Sequence, residues 1–356
     1  MIILITGAAG FLGSSIVECL RGFDKNLTLL GVDNLSRKGS ELNLPVLAMN
    51  KCDFLLGDIS DQNFIDSLPK VDWIIDCAAN PSVLAGVSNN STLSLLNDNL
   101  IGNLYLLEKC KRDFAGFVLI STSRVYSINE LNKIPLLKGE QRFSIDTRDS
   151  SKFPTGLTSE GVTESFSTKS PVSLYGATKI ASEVLALEYH YSYGFPVWIN
   201  RCGVIAGKRQ LGKIDQGIFS FWVYQYALNK PLSFIGYGGT GIQVRDVLHP
   251  KDVFEIIRMQ MFDSNSRSNR VFNIGGGEQN SMSLYELDQF CNSLFRKTEP
   301  VRIVVDNRAL DIPLYLTDYS LAKAEWGWKP QVSINQIMDE IAEFAKCNHD
   351  FLLRLQ

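Results

Sequence analysis

The chain has 356 residues, a formal net charge of −3 and seven cysteines. Its length predicts one large domain with a smaller one, and its scattered Lys and Arg residues lack the basic stripe that a nucleic-acid partner requires. We find no secretory leader, no apolar run of membrane-spanning length, no Cys-x-x-Cys pair and no His/Cys cluster at metal-ligand spacing. We therefore expect a cytoplasmic protein with no membrane segment, no disulfide framework and no metal.

Short apolar runs alternate with helical patterns through the first half of the chain. The runs at residues 2–6, 27–32, 53–56, 73–77 and 117–120 predict strands. Several are apolar throughout, which is typical of strands covered on both faces by crossover helices. The pattern predicts an α/β protein whose amino-terminal domain is a Rossmann fold with a doubly wound parallel sheet.

A glycine-rich turn follows the first predicted strand and leads into a helical pattern. Gly7, Gly10 and Gly13 would let the backbone approach a pyrophosphate, which binds the exposed amides of the helix amino terminus. A packing turn is the alternative, but the second strand pattern is followed by Asp33, about twenty residues after Gly13, where a carboxylate can bind the adenosine ribose. That carboxylate would repel a 2′-phosphate, so NAD is favoured over NADP, although Arg37 and Lys38 lie close and could soften that preference. Asp58 follows the third strand at the same sheet edge, where its side chain could reach the adenine amine.

A long helical pattern covers residues 92–111. Its apolar residues recur at three- and four-residue spacing: Leu93, Leu96, Leu100, Leu104 and Leu107. This spacing gives one apolar face, so we expect the helix to pack on the sheet.

Groups suited to proton transfer follow in the next two segments. Thr122 comes just after the strand at 117–120, at the sheet edge where open parallel sheets bind ligands, although a hydroxyl there can also cap the loop. Tyr175 and Lys179 are four residues apart in a helical pattern and share one face. An adjacent ammonium lowers the pKa of a phenol, so this pair can move a proton while a hydride moves to nicotinamide. The alternative is an amphipathic tyrosine beside a solvated lysine.

The remaining sequence predicts a second domain. Residues 128–170 lose periodicity and are rich in polar side chains, so we expect a surface flap or loop there. Further strands are predicted at 197–201, 232–235, 271–274 and 301–305, and a helix at 334–346. We place the NAD-binding domain at 1–200 and a smaller α/β substrate-binding domain mainly at 201–356, with segments that cross back to the first.

Taken in order, the glycine turn, Asp33, Thr122 and the Tyr175/Lys179 pair resemble the extended short-chain dehydrogenase/reductase family of nucleotide-sugar epimerases and dehydratases. The resemblance covers nearly the whole chain. It implies an NAD-dependent enzyme of carbohydrate biosynthesis that forms a homodimer. It extends the expected cofactor contacts to Phe11, Leu12, Asn34, Ile59 and Ala78, together with Tyr175 and Lys179.

Three longer strings are similar to one branch of that family: residues 33–39, Arg209-Gln210 with Asp215-Gln216-Gly217, and residues 243–249. The branch inverts C2 of a CDP-linked deoxysugar through a transient ketone, so the resemblance implies an isomerase with a nucleotide-sugar substrate. Arginines would neutralise the substrate diphosphate, although each could instead form a surface ion pair. The implied substrate contacts are Thr122, Arg209, Gln210, Gln243, Arg245 and Arg308.

The chain departs from the family pattern near the expected sugar site, at Asp76, at Ser127 and at residues 206–208. Sugar 4,6-dehydratases and decarboxylases of the family carry an acidic residue just after the catalytic hydroxyl, where this chain has Ser123-Arg124. Two alternatives stay open: a 4-epimerase of another nucleotide sugar, which uses the same Tyr and Lys, and a non-catalytic NAD-binding regulator that retains the glycine turn.

Overall fold

Strands and helices alternate along most of the chain in the computed structural model, which describes residues 1–82, 91–213, 216–263, 267–308 and 310–354. The strands are β1 Ile2–Thr6, β2 Thr28–Asp33, β3 Cys52–Leu56, β4 Trp73–Asp76, β5 Gly116–Thr122, β6 Leu136–Lys138, β7 Phe143–Ile145, β8 Val197–Cys202, β9 Val204–Ile205, β10 Ser233–Ile235, β11 Val244–Leu248, β12 Val271–Ile274, β13 Ser281–Ser283, β14 Arg302–Val304 and β15 Leu314–Tyr315. The helices are α1 Phe11–Phe23, α2 Leu44–Met49, α3 Gln62–Ser67, α4 Thr92–Leu96, α5 Gly102–Asp113, α6 Ile128–Leu131, α7 Ser173–Tyr193, α8 Ile218–Ala227, α9 Pro250–Phe262, α10 Leu284–Leu294, α11 Ser320–Trp326, α12 Ile334–Cys347 and α13 His349–Arg354. Every strand predicted above is confirmed to within two residues at each end.

The chain divides into two compact units, of which the first comprises residues 1–125, 173–201 and 250–272. This unit contains a seven-stranded parallel sheet in the order β12-β8-β5-β4-β1-β2-β3, except for the carboxyl ends of β8 and β12. The strand order reverses direction between β1 and β4, which is the switch point of a doubly wound sheet. The predicted α/β class and Rossmann fold are confirmed.

The core of the first unit lies on the two faces of this sheet. Ile3, Leu4 and Ile5 of β1 are completely buried, because helices cover both sides of the central strands. Helices α5 and α7 pack against each other, and α1 packs against α9. Helix α9, with which the chain re-enters the first unit, therefore completes a layer of helices on the sheet.

The predicted helix over residues 92–111 contains an irregularity. A π-helical turn, Asn97–Ile101, separates α4 from α5. A wider turn rotates the segments on its two sides relative to each other, so a spacing of three and four residues no longer keeps one face. Leu107 is buried as predicted, whereas Leu93 is 71% exposed. The prediction of a single apolar face is wrong at its amino-terminal end.

The second unit comprises residues 126–172, 202–249 and 273–356. Its main sheet has β11 between β13, which is antiparallel to it, and β15, which is parallel; β9 also pairs with β11 in parallel. Helices α10 and α12 both pack on α8. Their apolar faces form a core around Trp222, Leu287, Ile337 and Ile341.

The polar segment 126–172 belongs to this second unit and is more ordered than the sequence analysis expected. It contains α6 and the antiparallel pair β6–β7. Val162 donates its amide to the carbonyl of Leu316 at 2.8 Å and accepts from the amide of Asp318 at 3.0 Å. Elements of three or four residues are too short to show a hydrophobic period, so the sequence could not reveal them.

No helix in the described part of the chain is both long enough and apolar enough to cross a bilayer. No three His, Cys, Asp or Glu side chains within the described ranges gather where they could hold a metal ion. The seven cysteines all lie within the described residues and none forms a disulfide; four of them are buried: Cys52, Cys110, Cys202 and Cys291.

A buried carboxylate, Asp246 on β11, lies at the centre of the second unit. It is completely buried, and its Oδ2 accepts the amides of Gly277 at 3.2 Å and Thr317 at 3.1 Å. A Cβ at Gly275 would lie 2.4 Å from the same oxygen, and one at Gly203 would lie 2.7 Å from Oδ1. Two glycines therefore make room for this side chain. Burial raises the pKa of Asp246 to about 6, against the lowering effect of its hydrogen bonds.

Asp246→Asn is expected to change how stability depends on pH. Between the ordinary value of 3.8 and the folded value of about 6, the folded state keeps the proton that the unfolded state releases. The wild-type protein therefore loses stability as the pH rises through this window, by on the order of 2 to 3 kcal/mol relative to the variant, and the difference levels off above it. Urea denaturation from about pH 4 to about pH 7 measures this. The exposed Asp306→Asn is the control, and parallel curves for wild type and Asp246→Asn would contradict the prediction.

Candidate active site

The glycine turn after β1 has the close backbone packing that the sequence predicted. Gly7 has a φ of +60°, and a Cβ there would lie 2.9 Å from the carbonyl oxygen of Cys77. A Cβ at Gly13 would lie 2.2 Å from the Gly7 carbonyl oxygen, so a side chain cannot fit at this position. The helical hydrogen bonds of α1 begin with the Ser14 amide and the Gly10 carbonyl, at 3.0 Å. The amides of Phe11, Leu12 and Gly13 precede this first bond, and amides at the start of a helix can bind a pyrophosphate, so its contact with this turn stays a prediction.

Asp33, the last residue of β2, holds this turn. Its Oδ2 accepts the amide of Ala9 at 3.1 Å, and its Oδ1 accepts the amide of Leu35 at 2.8 Å. Burial raises the pKa of Asp33, although the hydrogen bonds from Leu35, Ala9 and Gly10 oppose this. The carboxylate lies beside the glycine turn, where the sequence analysis expected it, and its contact with a ribose stays a prediction.

Asn34 and Asp58, from neighbouring strand ends, are brought together. The Asn34 amide donates to Asp58 Oδ2 at 2.9 Å, and the amide and hydroxyl of Ser60 donate to Oδ1 at 2.8 and 2.7 Å. Burial alone would raise the pKa of Asp58, but these hydrogen bonds outweigh it and the pKa lies below its ordinary value. Ile59 is buried, and a Cβ on Gly102 of α5 would lie 2.6 Å from its Cγ1. Close packing against α5 thus explains why Ile59 is buried.

Asp76, one of the departures noted in the sequence, ties the carboxyl ends of β1 and β4 together. Its Oδ1 accepts from the Thr6 hydroxyl at 2.6 Å, and its Oδ2 accepts from the Asn103 amide at 3.1 Å. The Thr6 hydroxyl oxygen in turn accepts the amide of Ala78 at 3.2 Å. This network holds the loop of the expected cofactor contact Ala78 against the first strand.

The three predicted catalytic residues lie in the first unit, Thr122 at the end of β5 and Tyr175 and Lys179 on α7, which packs on that strand. Lys179 is only 2% exposed, and its ammonium donates to the carbonyl of Ile120 on β5 at 3.0 Å. Tyr175, one turn earlier on α7, is also buried, and α7 packs on β5 and on the turn after it. Thr122 accepts the amide of Arg124 at 3.2 Å, which is the loop-capping contact considered above. A solvated lysine is excluded, because the Lys179 side chain is enclosed at the strand end.

Sequence reasoning missed Asn99, which lies in the π-helical turn and is 2% exposed. Its amide group exchanges hydrogen bonds with the backbone of Asn80, at 2.7 and 3.1 Å, and donates to the Thr178 hydroxyl at 3.3 Å. Its carbonyl accepts from Ser182 at 3.2 Å. Asn99 thus joins the loop after β4 to α7. The sequence contained a signal for Asn99, because it is a polar residue inside an apolar helical pattern. Such π-helical turns concentrate at functional sites.

Arg245, in the second unit, forms several hydrogen bonds within the protein. Its guanidinium donates to Asp311 Oδ1 at 3.0 Å and to the carbonyls of Ile312 and Val244, each at 2.8 Å. The ion pair considered above is therefore present at this arginine. Its side chain is 14% exposed.

Apart from Thr122, the other expected substrate contacts also lie in the second unit. Gln210 donates to the carbonyl of Ile205 and accepts from the Ser220 hydroxyl, both at 2.8 Å, and Gln243 donates to the carbonyl of Ile235 at 3.2 Å. Two arginines are partly buried: Arg209, in a left-handed conformation with φ of +66°, and Arg308. Asp215, part of the string that included Arg209, lies outside the described residues.

A doubly wound sheet with a glycine turn at its first crossover is the architecture of a dinucleotide-binding protein. Residues 3–275 match the model of the NAD dependent epimerase/dehydratase family, so the chain belongs to that family. It is therefore an NAD-dependent enzyme of the epimerase or dehydratase type. The family resemblance and the NAD cofactor predicted from the sequence are confirmed.

Relatives of different activity match nearly the whole chain. CDP-paratose 2-epimerase of Salmonella typhi is 29% identical over 350 residues, covering 94% of this chain and 96% of that protein. UDP-glucuronate 4-epimerase of Thermodesulfobacterium geofontis is 27% identical, with 98% and 97% covered. A dTDP-glucose 4,6-dehydratase of Streptomyces venezuelae, solved with NAD bound, superimposes with a TM-score of 0.78 at 25% identity and covers all of both chains.

Gly13→Ala is expected to weaken NAD binding at least tenfold, because the added methyl would lie 2.2 Å from the Gly7 carbonyl oxygen and force the turn open. Isothermal titration with NAD measures this. Gly22→Ala is the matched control: it lies on the same helix, its Cβ would meet nothing within 4 Å, and alanine favours a helix. Equal affinity of the two variants would show that the turn does not bind the pyrophosphate.

Proposed function

We propose that this protein is an NAD-dependent nucleotide-sugar epimerase that inverts C2 of a CDP-linked deoxysugar through a transient ketone. The observation that carries the proposal is the hydrogen bond of the buried Lys179 ammonium to the Ile120 carbonyl. Lys179 shares a helix face with Tyr175, and Ile120 lies two residues before Thr122 on the same strand. The substrate is supported by the three sequence strings described above and by the similarity to CDP-paratose 2-epimerase. In this proposal the first unit binds NAD and the second binds the nucleotide sugar.

The residues of the first unit suit removal and return of a hydroxyl proton. Tyr175 takes the proton of the C2 hydroxyl as a phenolate, which the adjacent Lys179 ammonium stabilises. Thr122 donates a hydrogen bond to the same oxygen while it is a ketone oxygen. NAD, when bound, accepts and returns the hydride. Inversion follows when the ketone is reduced on its opposite face, and Tyr175 then returns its proton.

A dehydratase is less well supported by the residues after Thr122. Sugar dehydratases of the family carry an acidic residue just after the catalytic hydroxyl, and an acid there would assist loss of water. Here Ser123 and Arg124 form a short 3-10 turn. A hydroxyl and a guanidinium at this position favour the epimerase.

The test is to incubate the purified protein with a panel of nucleotide sugars and follow C2, C4 and loss of water by NMR. Inversion at C2 of a CDP-linked deoxysugar is expected. Tyr175→Phe should lower kcat by about 10² to 10⁴ while NAD binding persists, because only the proton-transferring hydroxyl is removed. Inversion at C4 alone would replace the proposal with a 4-epimerase, and elimination of water with a dehydratase. NAD binding without any turnover would favour the non-catalytic regulator.

Arg245→Lys is expected to raise the KM of the nucleotide sugar about tenfold and to leave kcat within a few fold. A planar guanidinium can bind both the Asp311 carboxylate and a phosphate, whereas an ammonium cannot reproduce that geometry. Steady-state kinetics measure the effect. Arg142→Lys is the control, since Arg142 pairs with Glu286 in the same unit. An unchanged KM in Arg245→Lys would remove this arginine from the proposed substrate site.

A further inference from the structure

A buried acid, Glu183, lies one helical turn after Lys179 on α7. Its side chain is 4% exposed and pairs with Arg201 of β8, which is 11% exposed. The Arg201 Nη2 donates to Glu183 Oε2 at 2.7 Å, and Nε lies 3.1 Å from both oxygens. The pairing therefore orients the carboxylate plane and does more than neutralise it.

The same carboxylate is bonded to the catalytic edge of the sheet. The hydroxyl of Ser121, itself buried, donates to Glu183 Oε1 at 2.5 Å. Ser121 stands between Ile120, whose carbonyl accepts from Lys179, and Thr122. Two side chains one turn apart on α7 thus hold two consecutive residues of β5.

The contacts from Lys179 and Glu183 restrict the carboxyl end of β5. The carboxyl end of a strand passes into a loop and loses ladder partners, so its last residues depend on side-chain contacts for their position. A hydrogen bond to a charged acceptor is among the stronger ones that a hydroxyl can make. The Glu183 contact therefore limits movement of the strand just before Thr122.

We propose that Glu183 is a positioning residue, which Arg201 orients and which acts through the Ser121 hydroxyl to hold the β5 end that carries Thr122 and anchors Lys179. The inference rests on the proposed roles of Tyr175, Lys179 and Thr122. A displacement of about 1 Å in a catalytic group costs on the order of 10² in rate, so a single hydrogen bond can matter at this place. A purely structural ion pair would affect stability alone.

The two contacts of Glu183 can be separated by substitution. Ser121→Ala removes the hydrogen bond to the strand and leaves the Arg201 pair intact. Its kcat is expected to fall about tenfold, with the NAD affinity and the substrate KM close to wild type and with a smaller fall in the urea midpoint than in Glu183→Gln. Glu183→Gln keeps a hydrogen-bonding group beside Ser121, whose hydroxyl can accept from the new amide while the amide oxygen faces Arg201, but it removes the charge from the pair. It is expected to lower the urea midpoint clearly and kcat by less than about threefold.

Asp113→Asn is the matched control. Asp113 forms a buried ion pair with Lys109 at 2.7 Å in the same unit, and neither residue bonds to β5 in the contacts described. This variant should lower the urea midpoint and leave kcat unchanged. If kcat follows the urea midpoint across the three variants, or if Ser121→Ala retains wild-type kcat, Glu183 is structural only and the inference is overturned.

The same assays distinguish this inference from the function on which it rests. All variants are measured on the nucleotide sugar that the wild-type protein converts, beside Tyr175→Phe. A large loss in Tyr175→Phe with wild-type turnover in Ser121→Ala overturns the role of Glu183 and leaves the proposed function standing. Full turnover in Tyr175→Phe, or no conversion of any sugar by the wild type, overturns both.

Discussion

The hydrogen bond from the Lys179 ammonium to the Ile120 carbonyl is the contact on which the proposed chemistry depends. A buried ammonium is costly unless it is bonded, and in this position a backbone carbonyl at the carboxyl end of β5 is its partner. Together with the Ser121–Glu183 bond, this hydrogen bond restricts the rotation of α7 about its own axis relative to the sheet. Because Tyr175 lies one turn earlier on the same face, its position follows from that rotation.

Carboxylates build the rest of this sheet edge, and each has a different environment. Asp33 accepts backbone amides of the glycine turn and the loop after β2, and its burial raises its pKa. Asp58 is held by Asn34 and Ser60, whose hydrogen bonds outweigh burial and lower its pKa. Asp76 uses both oxygens to join β1 to α5 through Thr6 and Asn103. The predicted cofactor contacts are thus held by side chains at the ends of the strands.

Adjacent residues of β11 show how a strand supplies both a core and a site. Side chains alternate between the faces of a strand, so Arg245 and Asp246 point in opposite directions. Asp246 is enclosed between glycines, while Arg245 keeps part of its surface exposed beside Asp311. Asp311 orients the Arg245 guanidinium, and in the proposed function this would reduce the ordering cost of binding a phosphate.

The sequence alone determined the features that repeat along the chain or sit at fixed spacing. These are the strands of the seven-stranded sheet, the glycine turn with Asp33, the Tyr175/Lys179 face and, from their order, the family and its cofactor. Only the tertiary structure decided the pairings between distant residues. Ser121 and Glu183 are 62 positions apart, Arg245 and Asp311 are 66 apart, and residues 126–172 join the second unit through contacts near residue 317. A local pattern records the period of a helix or strand, whereas such partners are chosen by how those elements pack.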